Sequence, residues 1–199
     1  MSDHRKREGV VRSGFCHVFL ALRREKDNSD DYEGRSIFRQ IIRDEFVDLG
    51  VLEAKCLSVG GVWRIYRTVN SRCFRKAFRL FQHRLIDDAE EYLHRVDSLW
   101  MNCLLKQDSR AEKFFMVDID DVDDSFNEGD CLSYFKEEGV EVVRVVKSPG
   151  GFHVVVKPFR VECVKDEGRS FKWQGHDVLK DGYFFVKIVG GIESEEERV

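Results

Sequence analysis

The chain has 199 residues, of which 42% are apolar and 35% charged, and its formal net charge is −4 at pH 7. This composition predicts a folded domain with a substantial core and argues against a disordered chain. No apolar run approaches the roughly 20 residues of a membrane-spanning helix, so we expect no membrane partner.

Six cysteines occur without any Cys-x-x-Cys pair. This favours reduced thiols and an intracellular protein, in the cytoplasm or the nucleus. A mixed zinc site that uses His17 or His94 stays open as an alternative. The polar, basic residues 1–13 predict a flexible N-terminus without a secretory signal. The acidic residues 191–199 predict a disordered tail, which leaves 14–190 as a single domain.

In chain order, the N-terminal unit over 14–112 is predicted to begin as β-α-β-β. Its predicted elements are a strand over 14–22, a helix over 36–49 that stops at Gly50, and a hairpin over 55–70 around Gly60-Gly61. Apolar residues spaced by three and four predict the helix, and the glycine pair predicts the hairpin turn. A further helix with an apolar stripe is expected from Phe74 to Lys106, continuous or with one break.

The C-terminal unit over 113–190 is predicted to be a mixed or antiparallel sheet. Its predicted strands cover 114–120, 142–146, 152–156 and 182–189, with one helix over 130–138. Both units mix strands with few helices. The predicted fold class is therefore α+β, with two units packed edge to face and a cleft between them.

A strand that begins with the apolar residues 114–117 ends in two carboxylates, Asp118 and Asp120. Because residues i and i+2 of a strand share a face, these two side chains project together. Two neighbouring carboxylates repel each other, and a cation relieves the repulsion. Mg²⁺ takes oxygen ligands of this kind, usually alongside substrate phosphates. A surface acidic cluster without a ligand is the alternative interpretation.

The second informative segment is a glycine turn between two strands, Lys147-Ser148-Pro149-Gly150-Gly151-Phe152-His153. It offers a hydroxyl group, flexible backbone N–H groups and an imidazole, all of which suit a polyphosphate. An ordinary hairpin is the alternative. Together with the acidic strand, the turn indicates metal-dependent chemistry on a nucleotide.

The charges are segregated along the chain. Between Ala54 and Ile86 there are eight Lys or Arg residues and no Asp or Glu, whereas acidic residues crowd 118–130 and 193–197. This segregation is typical of a basic surface for a polyanion beside an acidic metal site. A solvated helix face is the alternative interpretation of the basic run.

These segments resemble the motifs of the archaeo-eukaryotic primases, particularly the primase-polymerase branch. That family's first motif is a hydrophobic strand ending in Asp-x-Asp, matched by Asp118 and Asp120. Its second is a Ser-x-His-like pattern in a glycine-rich hairpin, matched by Ser148 and His153. Its third is a carboxylate near the start of a later strand. The segment 175–183 is similar to that motif, and its spacing favours Asp177 over Asp181.

The resemblance covers roughly residues 14–190 and implies a small primase-polymerase catalytic domain. The phrase Val69-Asn70-Ser71-Arg72 also resembles a Val-Asn-x-Arg phrase of some members. Two positions depart from the family pattern. Lys187 stands where members often carry Arg, and His176 replaces the apolar residue that usually precedes the third carboxylate.

The resemblance implies a template-directed nucleotidyltransferase, a primase or polymerase that joins nucleoside triphosphates by two-metal catalysis with release of pyrophosphate. The implied ligands of two Mg²⁺ or Mn²⁺ ions are Asp118, Asp120 and Asp177. The implied nucleotide-binding residues are Ser148, Gly150, Gly151, His153 and Lys187. The implied nucleic-acid-binding residues are Arg64, Arg67, Asn70, Arg72, Arg75 and Lys76. Expected partners are a single-stranded DNA template, a primer, and a helicase or other replication or repair protein.

Two other functions remain open from the sequence. One is a catalytically inactive, nucleic-acid-binding subunit that keeps the primase fold. The other is a haloacid-dehalogenase-type phosphatase, whose Asp-x-Asp motif is also matched by 118–122. The choice between RNA and DNA product, and between priming and primer extension, is open. A virus, phage or mobile element would suit a domain this short.

Overall fold

The computed structural model shows an α+β protein with two antiparallel β-sheets. The predicted α+β class is therefore confirmed. The structure describes residues 14–28, 36–43, 47–120, 127–160, 171–173 and 176–190. The predicted N-terminal segment 1–13 and acidic tail 191–199 lie outside the described residues. No helix in the described part of the chain is long and apolar enough to cross a membrane.

The strands are β1 (Phe15–Arg23), β2 (Ile37–Arg43), β3 (Trp63–Thr68), β4 (Arg72–Cys73), β5 (Phe115–Asp120), β6 (Val142–Ser148), β7 (Gly151–Val156), β8 (Phe171–Trp173), β9 (His176–Leu179) and β10 (Tyr183–Val189). The helices are α1 (Gly50–Val59), α2 (Phe74–Asp87), α3 (Ala89–Tyr92), α4 (Val96–Leu105) and α5 (Glu128–Glu137). Short 3-10 turns cover Glu25–Asp27, Leu93–Arg95 and Gln107–Ser109.

The first sheet has the strand order β10-β3-β1-β2, with β4 paired to β1. Successive side chains of each strand point to opposite faces of the sheet. One face is apolar and buries Phe19 and Ile65 against Leu52 and Cys56 of α1. At one end, the opposite face is covered by α2 and α4, where Cys16 packs on Ala77 and Leu104. The rest of that opposite face borders the cleft described below.

Two predicted elements of this unit are wrong. Residues 37–43 form the edge strand β2 rather than a helix, because Ile37, Ile41 and Ile42 suit a pleated strand and pair with β1 over its whole length. Residues 50–59 form α1 rather than the first arm of a hairpin. Gly60 ends this helix with a φ of 77°, so the glycine pair is a helix C-terminus and not a hairpin turn.

The order of the unit is therefore β-β-α-β-β rather than β-α-β-β. The long helix predicted from Phe74 to Lys106 is also interrupted twice, at Asp88 and at the 3-10 turn Leu93–Arg95. Part of the apolar stripe of α2 is nevertheless used as expected, since Phe74 stacks on Trp100 of α4 and Phe81 meets the same ring edge-on.

The second sheet has the order β6-β7-β5-β9-β8, and every pairing in it is antiparallel. One face buries Val117, Ile119 and Val154 against Phe135 of α5. This helix begins at a capping box, in which the Asn127 side chain accepts hydrogen bonds from the first turn and Asp130 accepts one from the Asn127 amide. The helix therefore starts two residues before the predicted 130–138 segment.

The two sheets contact each other along β10. The chain leaves β9 and returns as β10, which pairs with β3 as the edge strand of the first sheet instead of staying in the unit predicted over 113–190. The Phe185 amide of this edge donates a hydrogen bond to Nδ1 of His153 on the second sheet (2.8 Å). Beside it, Phe184 packs with Met116 and Val155 of that sheet. This junction forms one wall of a cleft.

Candidate functional site

Three carboxylates and one imidazole lie on a single face of the second sheet. In the register of β5 with its two neighbours, Asp118 is opposite His153 of β7 on one side and opposite Asp177 of β9 on the other. Directly opposite residues of antiparallel strands share a face. Asp120, two residues further along β5, projects from the same face. The strand registers therefore place the three predicted metal ligands and the predicted histidine on one face of the sheet.

Asp118 is held in an environment that disfavours its charge. Burial, followed by the charges of Asp120 and Asp177, raises the pKa of Asp118 from 3.8 to about 6. Its Oδ1 atom is buried and accepts no hydrogen bond from the described residues. A carboxylate in this state is stabilised by any cation that reaches it.

His153 is a neutral side chain fixed in one tautomer. Burial lowers its pKa, although the charge of Asp120 opposes the shift. Because Nδ1 accepts the hydrogen bond of the Phe185 amide, the proton is on Nε2, which lies 3.3 Å from Oδ1 of Asp118. The Nε2 side of the imidazole therefore faces Asp118, and the nucleotide contact implied for His153 stays a prediction.

The predicted glycine turn lies against the end of the acidic strand. A Cβ atom on Gly151 would be 2.0 Å from the carbonyl oxygen of Ile119, so only glycine allows β7 to pair this closely with β5. A Cβ atom on Gly150 would be 2.9 Å from Oδ1 of Asp120. The Gly150 amide points back to Oγ of Ser148 (3.4 Å). The turn therefore borders the carboxylates, as the sequence predicts.

A cleft of about 260 Å³ connects this face with the first sheet. The second sheet contributes Asp118, Asp120 and the turn residues Ser148 and Gly150. The lining residues of the first sheet and its 3-10 turn are Arg24, Lys26, Arg64, Tyr66 and Tyr183. A basic wall thus faces an acidic one, which is an arrangement suited to an anionic ligand that carries divalent cations.

Sequence reasoning missed Arg24, Lys26 and Tyr183 as cleft residues. The first two directly follow β1, and basic residues at the end of a strand were the available signal. Arg64, predicted to bind nucleic acid, also lines the cleft, where its guanidinium forms a bidentate ion pair with Asp27 (2.7 Å from Nε to Oδ2). A larger hollow of about 520 Å³ lies between α2, α3 and α4, away from all of these residues.

Lys187 is not part of the cleft. It pairs in register with Ile65, whose side chain lies in the core under α1, and its ammonium group contacts Glu53 of α1 (3.0 Å). Lys187 is therefore on the face of the first sheet opposite to Arg64. Arg67 is on that same opposite face and contacts His17 and the Phe184 ring. These positions do not support the nucleotide contact predicted for Lys187, and Arg67, predicted to bind nucleic acid, instead contacts residues of the protein itself.

The Val-Asn-x-Arg phrase joins the two sheets and is not a nucleic-acid surface. Asn70 is fully buried and exchanges hydrogen bonds with the backbone of Phe114 (3.0 and 2.6 Å). Arg72 is only 2% exposed and donates two hydrogen bonds to the carboxylate of Asp181 (2.9 and 2.8 Å). These contacts correct the predicted role of Asn70 and Arg72. They also engage Asp181, whereas Asp177 faces Asp118.

The remaining basic residues and the histidine of the third motif have other positions. Arg75 and Lys76 are exposed on α2, and Lys76 donates to the Arg110 carbonyl (2.8 Å). Their predicted contact with nucleic acid stays a prediction. His176 lies on the core face of the second sheet, edge-on to Tyr134 of α5 (centroids 6.3 Å apart). The His176 imidazole therefore packs on an aromatic ring, as an apolar side chain at this position would.

His17 does not form the alternative zinc site. Its Nδ1 donates to the Thr68 carbonyl (3.0 Å), and its Nε2 accepts from the Arg67 guanidinium. Burial, with the Arg67 charge, lowers the pKa of His17 to about 4. Cys56, Cys73, Cys103 and Cys131 are free thiols, and Cys16 is buried. Both nitrogens of the ring are engaged, so His17 serves the packing of β1 on β3.

Over the described ranges, no group of three or more His, Cys, Asp or Glu side chains is arranged to hold a metal ion as placed. The donor chemistry at the cleft nevertheless fits a hard divalent cation. Three carboxylates share one sheet face, and Asp118 is destabilised in its charged form by burial and by its neighbours. A second shell is also present, since His153 is oriented toward Asp118 by the Phe185 amide.

Comparison with protein-family models, with curated proteins and with solved structures found no match to this chain.

Proposed function

We propose that this protein is a template-directed nucleotidyltransferase, a primase or polymerase that joins nucleoside triphosphates. The observation that carries the proposal is the alignment of Asp118, Asp120 and Asp177 on one sheet face, where Asp118 and Asp120 line the cleft opposite a basic wall. The proposal agrees with the resemblance of these segments to the primase-polymerase motifs. Acidic ligands and cationic side chains in one cleft are what a metal–triphosphate substrate requires.

Asp118, Asp120 and Asp177 would hold the divalent ions, Mg²⁺ or Mn²⁺. When bound, such ions lower the pKa of an attacking hydroxyl group and neutralise charge on the phosphates. His153 serves as a positioning residue, because its Nε2–H faces Oδ1 of Asp118 and its Nδ1 is fixed by the Phe185 amide. A bound divalent ion would offset the repulsion between the carboxylates. An ionised Asp118 would therefore be tolerated in the metal-bound protein.

The chain's own cations bind the triphosphate from the opposite wall. Arg24 and Lys26 line the cleft and take the place that sequence reasoning gave to Lys187. Ser148 and the Gly150 amide border the acidic strand and contact phosphate oxygens. Arg64 adds a guanidinium whose position is fixed by Asp27. The substrate is thereby oriented with its phosphates between the basic wall and the carboxylates.

The test is incorporation of labelled nucleotides on single-stranded DNA, with Mg²⁺ or Mn²⁺ and with or without a primer. Asp120→Ala and Asp177→Asn are expected to lower incorporation by about a thousandfold or more, as removal of a group that holds catalytic metal does. Both variants should fold like the wild type, because each relieves repulsion at Asp118. The matched control is Asp97→Asn, an exposed carboxylate on α4 that should retain full activity.

Full incorporation by Asp120→Ala or Asp177→Asn would refute the metal assignment. Primer dependence of the wild-type product would distinguish a polymerase from a primase. Release of phosphate from a simple phosphate ester without template, lost in Asp118→Asn, would instead support the phosphatase alternative.

A non-catalytic nucleic-acid-binding subunit is the second candidate. The observation in its favour is that, among the described residues, no three His, Cys, Asp or Glu side chains are arranged to hold a metal ion. Mn²⁺-dependent binding of a nucleoside triphosphate, measured by calorimetry, separates the two. An active enzyme binds the nucleotide more tightly with Mn²⁺ and loses this gain in Asp118→Asn. The inactive subunit shows the same affinity with and without the metal.

A further inference from the structure

The face of the first sheet that borders the cleft extends well beyond it. In the strand registers, Leu20 is opposite Tyr66 on one side and opposite Arg39 on the other. Leu22 is likewise opposite Arg64 and Ile37. Directly opposite residues share a face, so Arg39 and Ile37 continue the same surface as the cleft residues Arg64 and Tyr66. The surface formed by these six residues is called the open face below.

Within the described part of the chain, α2 and α4 pack on the other end of this side of the sheet, and no described helix packs on the open face. Arg39 is exposed, Ile37 is 38% exposed, and Leu20 and Leu22 are partly exposed. The described parts of β1, β2, β3 and β10 place no Asp or Glu on this side of the sheet. They place three arginines there, Arg39, Arg43 and Arg64. Asp27 of the neighbouring 3-10 turn balances the charge of Arg64, whereas the described strands place no acidic residue beside Arg39, whose exposed guanidinium is complementary to a phosphate.

The open face is continuous with the carboxylate cleft. Arg64 and Tyr66 line the cleft together with Asp118 and Asp120. In the strand registers, Leu20 lies between Tyr66 of the cleft and Arg39 of the edge strand. An extended polyanionic ligand that leaves the cleft at Tyr66 would therefore pass over Leu20 toward Arg39.

The side chains match the parts of a single nucleic-acid strand. Guanidinium groups pair with phosphates, while an aromatic ring and flanking aliphatic side chains offer surfaces on which unpaired bases stack. A duplex hides its bases and could use only the charges. We propose that the open face binds the single-stranded template, with Arg39 at a backbone phosphate and Tyr66 under a base at the cleft entrance. The identification of this strand as the template rests on the proposed function.

This surface differs from the one expected from the sequence, where the basic run up to α2 was to bind nucleic acid. Asn70 and Arg72 of that run are buried between the sheets, and Arg67 lies on the opposite face. Arg75 and Lys76 remain exposed on α2 and form the rival surface.

The experiment is fluorescence anisotropy of a labelled oligothymidine of about 16 nucleotides, in EDTA and without nucleotide. Arg39→Gln should weaken binding several-fold and reduce the slope of log K against log salt by about 0.7. Tyr66→Ala should weaken binding roughly tenfold, and Tyr66→Phe should restore it because the ring suffices for stacking. Arg160→Gln, an exposed guanidinium after β7, is the charge-matched control and should bind like the wild type.

Several results would overturn the inference. These are wild-type affinity in Arg39→Gln and Tyr66→Ala, loss of binding only in the double variant Arg75→Gln/Lys76→Gln, and failure of the wild type to bind the oligonucleotide. Equal competition by a DNA duplex or by polyglutamate would replace the single strand with a general polyanion or an acidic protein segment. Because the assay contains no metal, its outcome is independent of whether Asp120→Ala loses incorporation.

Discussion

Burial moves the pKa values of His17 and Asp118 in opposite directions. The pKa of His17 falls from 6.5 to about 4, and that of Asp118 rises from 3.8 to about 6. For His17, the folded state binds fewer protons, so its contribution to stability is present above pH 6.5 and is lost as the pH falls toward 4. For Asp118, the folded state binds more protons, so stability is greatest below pH 3.8 and is lost as the pH rises through 6.

In metal-free protein, these two contributions should largely cancel between pH 4 and 6. Asp118→Asn removes one of them. Relative to the wild type, the free energy of unfolding of this variant should therefore rise by about 2 kcal/mol from pH 4 to pH 6.5, since each pKa unit corresponds to about 1.4 kcal/mol. Urea unfolding at several pH values in EDTA measures this difference. A constant difference between variant and wild type would contradict the raised pKa of Asp118 in the folded state.

At the scale of elements, the turn between β6 and β7 contains two glycines with different expected roles. Gly151 is expected to matter for stability, and Gly150 for nucleotide incorporation. Gly151→Ala places a Cβ atom 2.0 Å from the Ile119 carbonyl, so β5 and β7 must separate. The expected cost is about 3 kcal/mol of unfolding free energy. Gly150→Ala meets only the carboxylate end of Asp120, at 2.9 Å, which can rotate away. Its stability should change by less than about 1 kcal/mol, while nucleotide incorporation falls at least about tenfold.

Chemical unfolding and the incorporation assay, run on both variants, test this separation. Gly14→Ala is the control, because a Cβ atom there meets nothing within 4 Å. Equal losses of stability in Gly150→Ala and Gly151→Ala would show that the turn has no specific relation to Asp120.

At the scale of the whole molecule, the two sheets are joined through a buried ion pair. The carboxylate of Asp181 accepts hydrogen bonds from both terminal nitrogens of Arg72 and from Asn70 (3.2 Å). Asp181→Asn leaves the Arg72 guanidinium buried without a counter-charge. Such a change should lower the free energy of unfolding by about 3 kcal/mol.

Denaturant unfolding, followed by circular dichroism and by tryptophan fluorescence, measures the loss. Asp177→Asn is the informative comparison, because it removes a carboxylate four residues away that faces Asp118 instead of an arginine. It should lose incorporation without losing stability. If both variants are equally stable, the ion pair does not hold the sheets together.

The candidate carboxylates were predictable because strand geometry is local. Alternation along a strand places Asp118 and Asp120 on one side whatever the rest of the fold does. The hairpin glycines bring His153 back beside the same strand within a few residues. Where local signals compete, prediction failed: apolar residues in 36–49 fit a helical period, yet pairing with β1 makes 37–43 an edge strand.

The sequence by itself therefore determined the α+β class, the acidic strand and the glycine turn, since each depends on neighbours along the chain. Only the tertiary structure placed Asp177 beside Asp118 and engaged Asp181 with Arg72, because Arg72 and Asp181 are 109 residues apart and meet through the packing of two sheets. The tertiary structure also decided the position of Lys187, which pairing with β3 places on the face of the first sheet that packs on α1. It likewise placed Arg24 and Lys26 in the cleft between the two sheets. Long-range pairing assigns each side chain to a face, and spacing along the chain does not specify it.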